Sequence, residues 1–385
     1  FADGGCGKVW ERTAAGGVDY AIPFLQNDGL IVDMTFLTQR GQTALFYVTN
    51  GSNQLHEVSF DYGTRSTDFV VNTGLPNSTV VAQLTTDNYD TGTGWTAAYA
   101  CAAGFTGTSS SNNTGNPIAS NLVIVPTDAN GNICVKSYRP TDLIVDIAGS
   151  LGGAAVTTPN RVLDTRTAGG ALTAGQDKRV HLGAANANVV AQFTTDDYEG
   201  GSGWTAVFSC TTGFQNTSSL NNRGNPIASN LVIAHTDASG DVCVRSLHAT
   251  DLVVDVSGTL GAATITSPTR VLDSRTAGGA TTAVDRTVKV GPANSVVVLQ
   301  VTTDNYETGT GWTDVYACAG GFLGASSLNN TAYPISSNLV IVPTDAAGNV
   351  CVKSLHPTDL IIDVAGTLTD AQIHNPTRVL DTRHS

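Results

Sequence analysis

The stretch DLIVDIAG at Asp142–Gly149 recurs as DLVVDVSG at Asp251–Gly258 and as DLIIDVAG at Asp359–Gly366. Each copy is short, is rich in Val, Leu and Ile, and ends at a glycine, which is typical of a buried β-strand that stops at a turn. The copies follow one another at a step of about 108 residues, which is too long for a solenoid repeat and suits one small domain per copy. The sequence therefore predicts three tandem domains.

The segments around these copies predict an all-β fold. Short Val-, Ile- and Thr-rich stretches such as residues 78–86 and 120–128 are bounded by Gly, Asn, Asp or Pro, and no long stretch has a helical period. DANGN at 128–132, like DASGD and DAAGN in the other copies, predicts a hairpin turn whose glycine takes a positive φ. About six or seven short strands per copy predict a β-sandwich of immunoglobulin-like size, with a small closed barrel as the alternative.

The cysteines repeat at the same step, one pair per copy. Two thiols without recurring histidines make a poor zinc site, so an internal disulfide is the better interpretation than a metal site. The predicted pairs are Cys101–Cys134, Cys210–Cys243 and Cys318–Cys351. Because such disulfides persist in oxidising compartments, we expect an extracellular or cell-surface protein. Cys6 is left over, either as a free thiol or for an intermolecular disulfide.

These markers divide the chain into an N-terminal part and three repeats. We place repeat 1 at 76–166, repeat 2 at 167–275 and repeat 3 at 276–385. Residues 1–75 also contain strand-like stretches but lack the tryptophan and the cysteine pair that mark the repeats. We expect a small N-terminal β segment or β domain there.

Composition and charge exclude some classes of protein. Only 13% of the residues are charged, and 19 Lys and Arg stand against 32 Asp and Glu, for a net charge of −13. Nucleic-acid binding needs a basic face, so it is not expected. No apolar run reaches the roughly 18 residues that span a bilayer, so no membrane span is expected either.

A second motif, which we call the RVLDTR segment, follows each repeat body. It occurs at 161–166 and 270–275, and again at 378–383, whereas FDYGTR at 60–65 is a poor match ahead of repeat 1. Three explanations stay open. The segment closes the preceding repeat, the chain is truncated, or the last segment is donated to the next molecule in a head-to-tail polymer.

Recurring charges in a chain with so few of them suggest structural ion pairs. The second arginines of the RVLDTR segments are Arg166, Arg275 and Arg383. We expect them to pair either with Asp146, Asp255 and Asp363 of the DLIVDIAG strands or with the aspartates of their own segments, Asp164, Asp273 and Asp381. Solvated surface pairs of little energetic value are the alternative.

These motifs together resemble a known but largely uncharacterised family. RVLDTR, GWT followed by a cysteine, NLVIVPTD and DLIVDIAG are similar to tandem β modules of secreted and cell-surface proteins of actinobacteria and related bacteria. The resemblance covers residues from about 76 to 385. It implies location and architecture rather than an activity. The aromatic residue that closes the family's last strand is absent, since Ser150, Thr259 and Thr367 follow the glycine.

The loop before each repeat's tryptophan is the best candidate binding site. It reads TTDNYDTGTGW in repeat 1, and its recurring residues are the acids Asp87, Asp90, Asp196, Glu199, Asp304 and Glu307 and the tyrosines Tyr89, Tyr198 and Tyr306. Carboxylates in a glycine-rich loop suit Ca²⁺, and acids beside aromatic rings suit a sugar. The alternative is an inter-strand loop in which Asp caps turns and Trp fills the core.

No catalytic motif occurs in a usable context, so we expect neither an enzyme nor a cofactor other than possible Ca²⁺. The expected function is that of an extracellular structural or surface protein that self-associates, for example as a filament or surface layer formed by strand donation. The alternative is a carbohydrate-binding or adhesive repeat protein whose partner is a cell-surface glycan.

Overall fold

The computed structural model describes residues 66–90, 92–115, 118–224, 227–307, 309–331 and 335–383, and the backbone of six strands before residue 66. The chain divides into two compact units, Phe1–Arg65 and Ser66–Ser385. Among the described residues no helix is long and apolar enough to cross a membrane.

The first unit contains two three-stranded antiparallel sheets. Its strands are β1 (Ala2–Asp3), β2 (Lys8–Arg12), β3 (Val18–Pro23), β4 (Ile31–Gln39), β5 (Gln42–Thr49) and β6 (Leu55–Phe60). β1, β2 and β3 pair in that order, and so do β4, β5 and β6. Cys6 lies outside the described residues.

The second unit is built from three β-sandwiches, which confirms the all-β prediction. Sandwich 1 contains β7 (Ser66–Asn72), β8 (Thr79–Asp87), β9 (Thr93–Tyr99), β10 (Ser111–Thr114), β11 (Ala119–Pro126) and β12 (Asn132–Leu151). Sandwich 2 contains β13 (Ala154–Asp164), β14 (Asp177–His181), β15 (Asn188–Asp196), β16 (Ser202–Phe208), β17 (Leu220–Arg223), β18 (Ala228–His235), β19 (Asp241–Ser246) and β20 (Asp251–Leu260). Sandwich 3 contains β21 (Ala263–Asp273), β22 (Arg286–Lys289), β23 (Val296–Asp304), β24 (Thr310–Tyr316), β25 (Leu328–Thr331), β26 (Ser336–Pro343), β27 (Asn349–Ser354) and β28 (Asp359–Leu368). The last strand is β29 (Ala371–Asp381).

Sandwiches 2 and 3 each have two four-stranded sheets, whereas the seven strands of sandwich 1, β29 included, are joined through β12. In sandwich 2 the strand orders are β13-β20-β15-β18 and β14-β19-β16-β17, and sandwich 3 repeats both orders. Inward-facing side chains of the two sheets, among them the fully buried Phe193 and Leu252, form one apolar core. In sandwich 1 the long strand β12 runs through both sheets, because its first half pairs with β7 and β9 and its second half with β8.

The RVLDTR segments belong to a different sandwich from the one predicted. β13, which ends in the first segment, pairs with β20 of sandwich 2, and β21 pairs with β28 of sandwich 3. The segment therefore opens the following sandwich and does not close the preceding repeat. The boundaries placed at 166 and 275 consequently move back, ahead of Ala154 and Ala263, and the first sandwich begins at Ser66 instead of residue 76.

The RVLDTR segment after repeat 3 belongs to sandwich 1. β29 pairs with β12 in sandwich 1, where it takes the place that β13 and β21 hold in the other two. Arg378 of β29 contacts Asp146, which lies 232 residues earlier in the chain. The last strand of the second unit, β29, thus completes a sheet of its first sandwich.

The three predicted disulfides are present. In each of Cys101–Cys134, Cys210–Cys243 and Cys318–Cys351, a cysteine just after one strand is joined to the neighbouring strand of the same sheet. The closed loop stabilises each sandwich by about 3–4 kcal/mol in the chain-entropy model.

The predicted hairpin turns at DANGN and its counterparts are arches instead. Gly131 takes φ +80° and the carboxylate of Asp128 accepts hydrogen bonds from the turn's backbone, as expected. However, β11 before the turn pairs with β8, whereas β12 after it pairs with β7 and β9 in the opposite sheet. The sequence indicated the turn correctly but carried no information on which sheet each flanking strand joins.

The three sandwiches share a second apolar core. It contains equivalent residues from all of them, such as Val81, Val190 and Val298. Beside it, a buried asparagine of each sandwich donates a hydrogen bond to a buried glutamine of the next. These bonds are Asn121 to Gln192 (3.2 Å), Asn230 to Gln300 (3.0 Å) and Asn338 to Gln83 (3.1 Å). The bonds run from sandwich 1 to 2, 2 to 3 and 3 to 1, so the three are held in a closed cycle.

Candidate functional site: clefts at the sandwich junctions

A cleft of about 360 Å³ lies where sandwich 2 meets sandwich 3. Sandwich 2 contributes Trp204 and Phe214 to its lining, and sandwich 3 contributes Arg270, Arg275 and Asp304. Neither sandwich alone forms the cleft, because the aromatic and the charged walls come from different repeats.

The aromatic wall is a stack of two rings. The centroids of Trp204 and Phe214 are 4.9 Å apart and the ring planes differ by 12°. The guanidinium of Arg245 lies 4.9 Å from the Phe214 centroid. Both Trp204 and Phe214 line the cleft. The half-buried indole packs against a small apolar cluster that contains Ala206 and Phe208, and it lies outside the main core of sandwich 2.

The charged wall is a network built by the RVLDTR segment. Arg275 donates two hydrogen bonds to Asp273 (2.9 and 2.7 Å) and one to Asp304 (3.1 Å). Arg270 holds the buried Asp363 through two bonds of 2.9 and 3.2 Å. The guanidinium of Arg275 keeps the pKa of Asp273 below its usual value, whereas burial raises the pKa of Asp363 against the opposing effect of Arg270.

An equivalent cleft of about 320 Å³ lies where sandwich 3 meets sandwich 1. Trp312 and Phe322 form its aromatic wall, with centroids 4.8 Å apart and planes 12° apart. Its charged lining consists of Arg378, Arg383 and Asp87. The closing strand β29 therefore completes a cleft as well as a sheet.

The junction of sandwiches 1 and 2 carries the same set of side chains. Trp95 and Phe105 stack at 4.8 Å and 14°. Arg166 contacts Asp164 at 2.7 Å and Asp196 at 2.9 Å. One difference is Tyr138, whose ring lies 6.0 Å from that of Trp95, where the other two sandwiches have Leu247 and Leu355.

The predicted ion pairs form in part, because the two arginines of each RVLDTR segment pair with different aspartates. Arg166, Arg275 and Arg383 contact the aspartates of their own segments, which is the second of the two expected arrangements. The buried Asp146, Asp255 and Asp363 are held instead by the first arginines of the segments, Arg378, Arg161 and Arg270. The pairing of the second arginines with these buried acids was therefore the wrong alternative.

The physical reason for this division is a break in register. A β-bulge lies between Arg161 and Leu163, where β13 pairs with β20, and β21 and β29 show comparable irregularities. Strict alternation of side chains, on which the sequence interpretation relied, does not hold across a bulge.

The loop acids separate into two groups. Asp87, Asp196 and Asp304 each contact the second arginine of an RVLDTR segment, and Asp87 and Asp304 line the two clefts. Asp90, Glu199 and Glu307 are exposed. Within the described residues no group of three or more acids, histidines or cysteines is placed to hold a metal ion. A guanidinium contacts three of the six carboxylates that were candidates for Ca²⁺.

The loop tyrosines are structural. Tyr89, Tyr198 and Tyr306 are 5–7% exposed, and burial raises the pKa of each hydroxyl. Each packs onto a glycine of the GxGW motif, because a Cβ at Gly94, Gly203 or Gly311 would collide with the tyrosine hydroxyl. These rings therefore offer no platform for a sugar.

Sequence reasoning missed two contributors to the clefts. The stacking residues Phe105, Phe214 and Phe322 recur in a GF dipeptide after the first cysteine of each pair, so a signal was present. The first arginines of the RVLDTR segments recur equally well. The sequence did not indicate that the aromatic wall of one repeat faces the charged wall of the next, because each cleft joins residues of two repeats.

Comparison with protein-family models, with curated proteins and with solved structures gave no match.

Proposed function

We propose that this chain is an extracellular binding protein and that its junction clefts bind carbohydrate. The observation that carries the proposal is the pairing of a stacked Trp–Phe wall with an Arg–Asp wall in one cleft. A sugar ring has an apolar C–H face that suits an indole, and hydroxyl groups that suit fixed donors and acceptors. The disulfides support an extracellular location.

The clefts have a suitable size and mixture of groups. Volumes of about 320 and 360 Å³ fall at the lower end of the range for small-molecule sites. A few placed polar groups beside an apolar wall are the usual composition of such sites. Binding without chemistry is proposed, so the fixed charges serve recognition.

A glycan array tests this proposal. Wild-type protein is expected to bind a subset of the printed glycans, and the double variant Trp204→Ala, Trp312→Ala is expected to lose most of that signal. The double variant Tyr198→Phe, Tyr306→Phe is the control, because it changes buried aromatic residues of the adjacent loops and leaves both walls intact. Equal binding by the tryptophan variant and the wild type would refute the role of the clefts.

A structural role by self-association is the second candidate. It is favoured by the connection between β28 and β29, which consists of Thr369 and Asp370 only. Short connections promote exchange of a terminal strand between molecules. In the closed form β29 pairs within its own chain, so a polymer would require this strand to leave β12 and enter another copy. Electron microscopy of concentrated protein after partial unfolding and refolding is the test, and regular fibres are the expected result.

A further inference from the structure

We infer, on the basis of the proposed carbohydrate binding, that each chain takes three uncharged pyranose rings, one at each sandwich junction. The charge balance of the clefts selects a neutral ligand, and the cyclic arrangement of the sandwiches sets the number of sites.

The charge balance follows from the ion pairs. The network between sandwiches 2 and 3 contains two guanidiniums, Arg270 and Arg275, and three carboxylates, Asp273, Asp304 and Asp363. Both arginines are already in contact with carboxylates, and the sum of the charges is negative. Of these five groups, Arg270, Arg275 and Asp304 line the cleft, and both guanidiniums are already paired with carboxylates. A uronic acid or a phosphate therefore meets no unpaired cation there, and the network as a whole carries one more carboxylate than guanidinium, so this cleft disfavours anionic glycans.

The same balance holds at the other two junctions. Arg378 and Arg383 face Asp381, Asp87 and Asp146 where sandwich 3 meets sandwich 1. Arg161 and Arg166 face Asp164, Asp196 and Asp255 where sandwich 1 meets sandwich 2. All three sites therefore select against the same kind of ligand.

The outer pair of each network keeps capacity for hydroxyl groups. A guanidinium has five N–H donors, and Arg275 uses three of them on Asp273 and Asp304. Arg275 is 39% exposed and Asp304 is 17% exposed in the cleft. A ring stacked on Trp204 can thus place vicinal hydroxyls on a donor and an acceptor that the protein already holds in position.

The number of sites follows from closure of the ring. The junction of sandwiches 3 and 1 has a charged wall only because β29 completes sandwich 1. The first junction contributes the Trp95–Phe105 stack and the Arg166–Asp196 pair. Three sites on one compact unit give a single chain avidity for a dense glycan surface without oligomerisation.

Isothermal titration of the full, oxidised chain tests the inference. The probes are the methyl glycosides of glucose, galactose, mannose and N-acetylglucosamine, with that of glucuronic acid as the charged comparison. We expect at least one neutral probe to bind with a stoichiometry of three, and the acidic probe to bind at least about tenfold more weakly, a difference of about 1.4 kcal/mol.

Single-site variants assign the sites. Trp95→Ala, Trp204→Ala and Trp312→Ala should each lower the stoichiometry from three to two and leave the remaining affinity unchanged, so that each variant is the control for the others. Should a tryptophan variant fail to fold, a second set of single-site variants is Asp196→Asn, Asp304→Asn and Asp87→Asn. Each of these removes the negative charge of one Arg–Asp pair at one junction.

The outcomes separate the inference from the function on which it rests. A stoichiometry of one or two, or preference for the acidic probe, would overturn the inference while leaving carbohydrate binding in place. Absence of binding both here and on the glycan array would overturn both.

Discussion

At the scale of single residues, each polar position of the RVLDTR segment has a distinct contact. In the first copy, Arg161 neutralises the buried Asp255, and the hydroxyl of Thr165 accepts from the backbone of Leu252 while donating to Asp251. Arg166 instead contacts the partly exposed Asp164 and Asp196. The motif therefore combines an arginine that pairs with a buried acid and an arginine that pairs with partly exposed acids, only five positions apart.

These two arginines should differ in their effect on stability. Arg378→Ala leaves Asp146, which is 1% exposed, without its cation, and we expect a loss of about 2–4 kcal/mol in the free energy of unfolding, because the guanidinium is itself partly exposed. Arg383→Ala removes a more superficial pair and should cost about 1 kcal/mol or less. Urea denaturation of both variants is the measurement, and equal losses would contradict the division of roles.

Asp314 should make stability depend on pH. This side chain is 1% exposed, accepts a hydrogen bond from Ser327 (2.8 Å), and burial raises its pKa to about 7, whereas the other two sandwiches have Ala97 and Ala206 at this position. The folded state thus holds the proton more tightly than the unfolded state, whose aspartate titrates near pH 4. From this group alone, the free energy of unfolding falls by up to about 1.4 kcal/mol per pH unit between about pH 4 and 7 and is constant above.

The variant Asp314→Ala removes that contribution. Its stability relative to wild type should increase as the pH is raised from 5 to 8, measured by urea denaturation at each pH. Glu199→Ala, at an exposed position, is the control and should show no such trend. A wild-type-to-variant difference that is the same at both pH values would show that Asp314 carries its charge in the folded state.

At the scale of single elements, the glycine of the DLIVDIAG strand lets the RVLDTR strand dock. Gly258 has φ +142°, and a Cβ there would collide with the carbonyl oxygen of Ala155 on β13. Gly149 and Gly366 stand in the same relation to β29 and β21. The glycine was noticed in the sequence as the end of a strand, but it is a point of close approach between two backbones.

Gly258→Ala should therefore be more damaging than a glycine replacement elsewhere. Gly213 has φ +71° with open space around its Cβ position, so Gly213→Ala adds only the backbone strain of about 1–2 kcal/mol. Gly258→Ala adds the steric conflict, for a further ~1–3 kcal/mol. Thermal denaturation of the two variants compares them, and similar melting temperatures would mean that β13 can shift to make room.

The elements also show how far sequence reasoning extends. Strand character, the disulfides and the repeat length depend on local patterns, and these were predicted correctly. The sheet that each strand joins depends on contacts between distant residues. β13 follows the last strand of sandwich 1 directly, whereas the whole body of sandwich 2 separates it in sequence from its partner β20. Its position in the sequence therefore favours assignment to sandwich 1, which is wrong. The clefts could not be predicted for the same reason, since the proximity of Trp204 and Arg275 depends on which sandwich each strand joins.

At the scale of the whole second unit, one non-covalent strand pairing closes the cycle. The first strands of sandwiches 2 and 3 follow the last strands of the preceding sandwiches after two-residue connections, at 152–153 and 261–262. Sandwich 1 receives β29 from the far end of the unit. A pairing at such a sequence separation carries the largest loop-closure cost, although that cost grows only slowly with loop length.

Deletion of residues 371–385 should therefore affect sandwich 1 and the cleft that it shares with sandwich 3. The deletion leaves one side of β12 unpaired and Asp146 buried without Arg378, so we expect a lower free energy of unfolding and association through the open strand edge. Size-exclusion chromatography with light scattering, at several protein concentrations, measures the association.

A peptide with the sequence of residues 371–383, added in excess, provides the control. It should restore the monomer by occupying the edge of β12, and a peptide with Arg378→Ala should do so less well, because the missing guanidinium is the partner of Asp146. If the shortened chain stays monomeric and as stable as the full one, β29 is dispensable for the fold. The cycle of asparagine and glutamine bonds, with the apolar core beside it, would then be sufficient to hold the three sandwiches together.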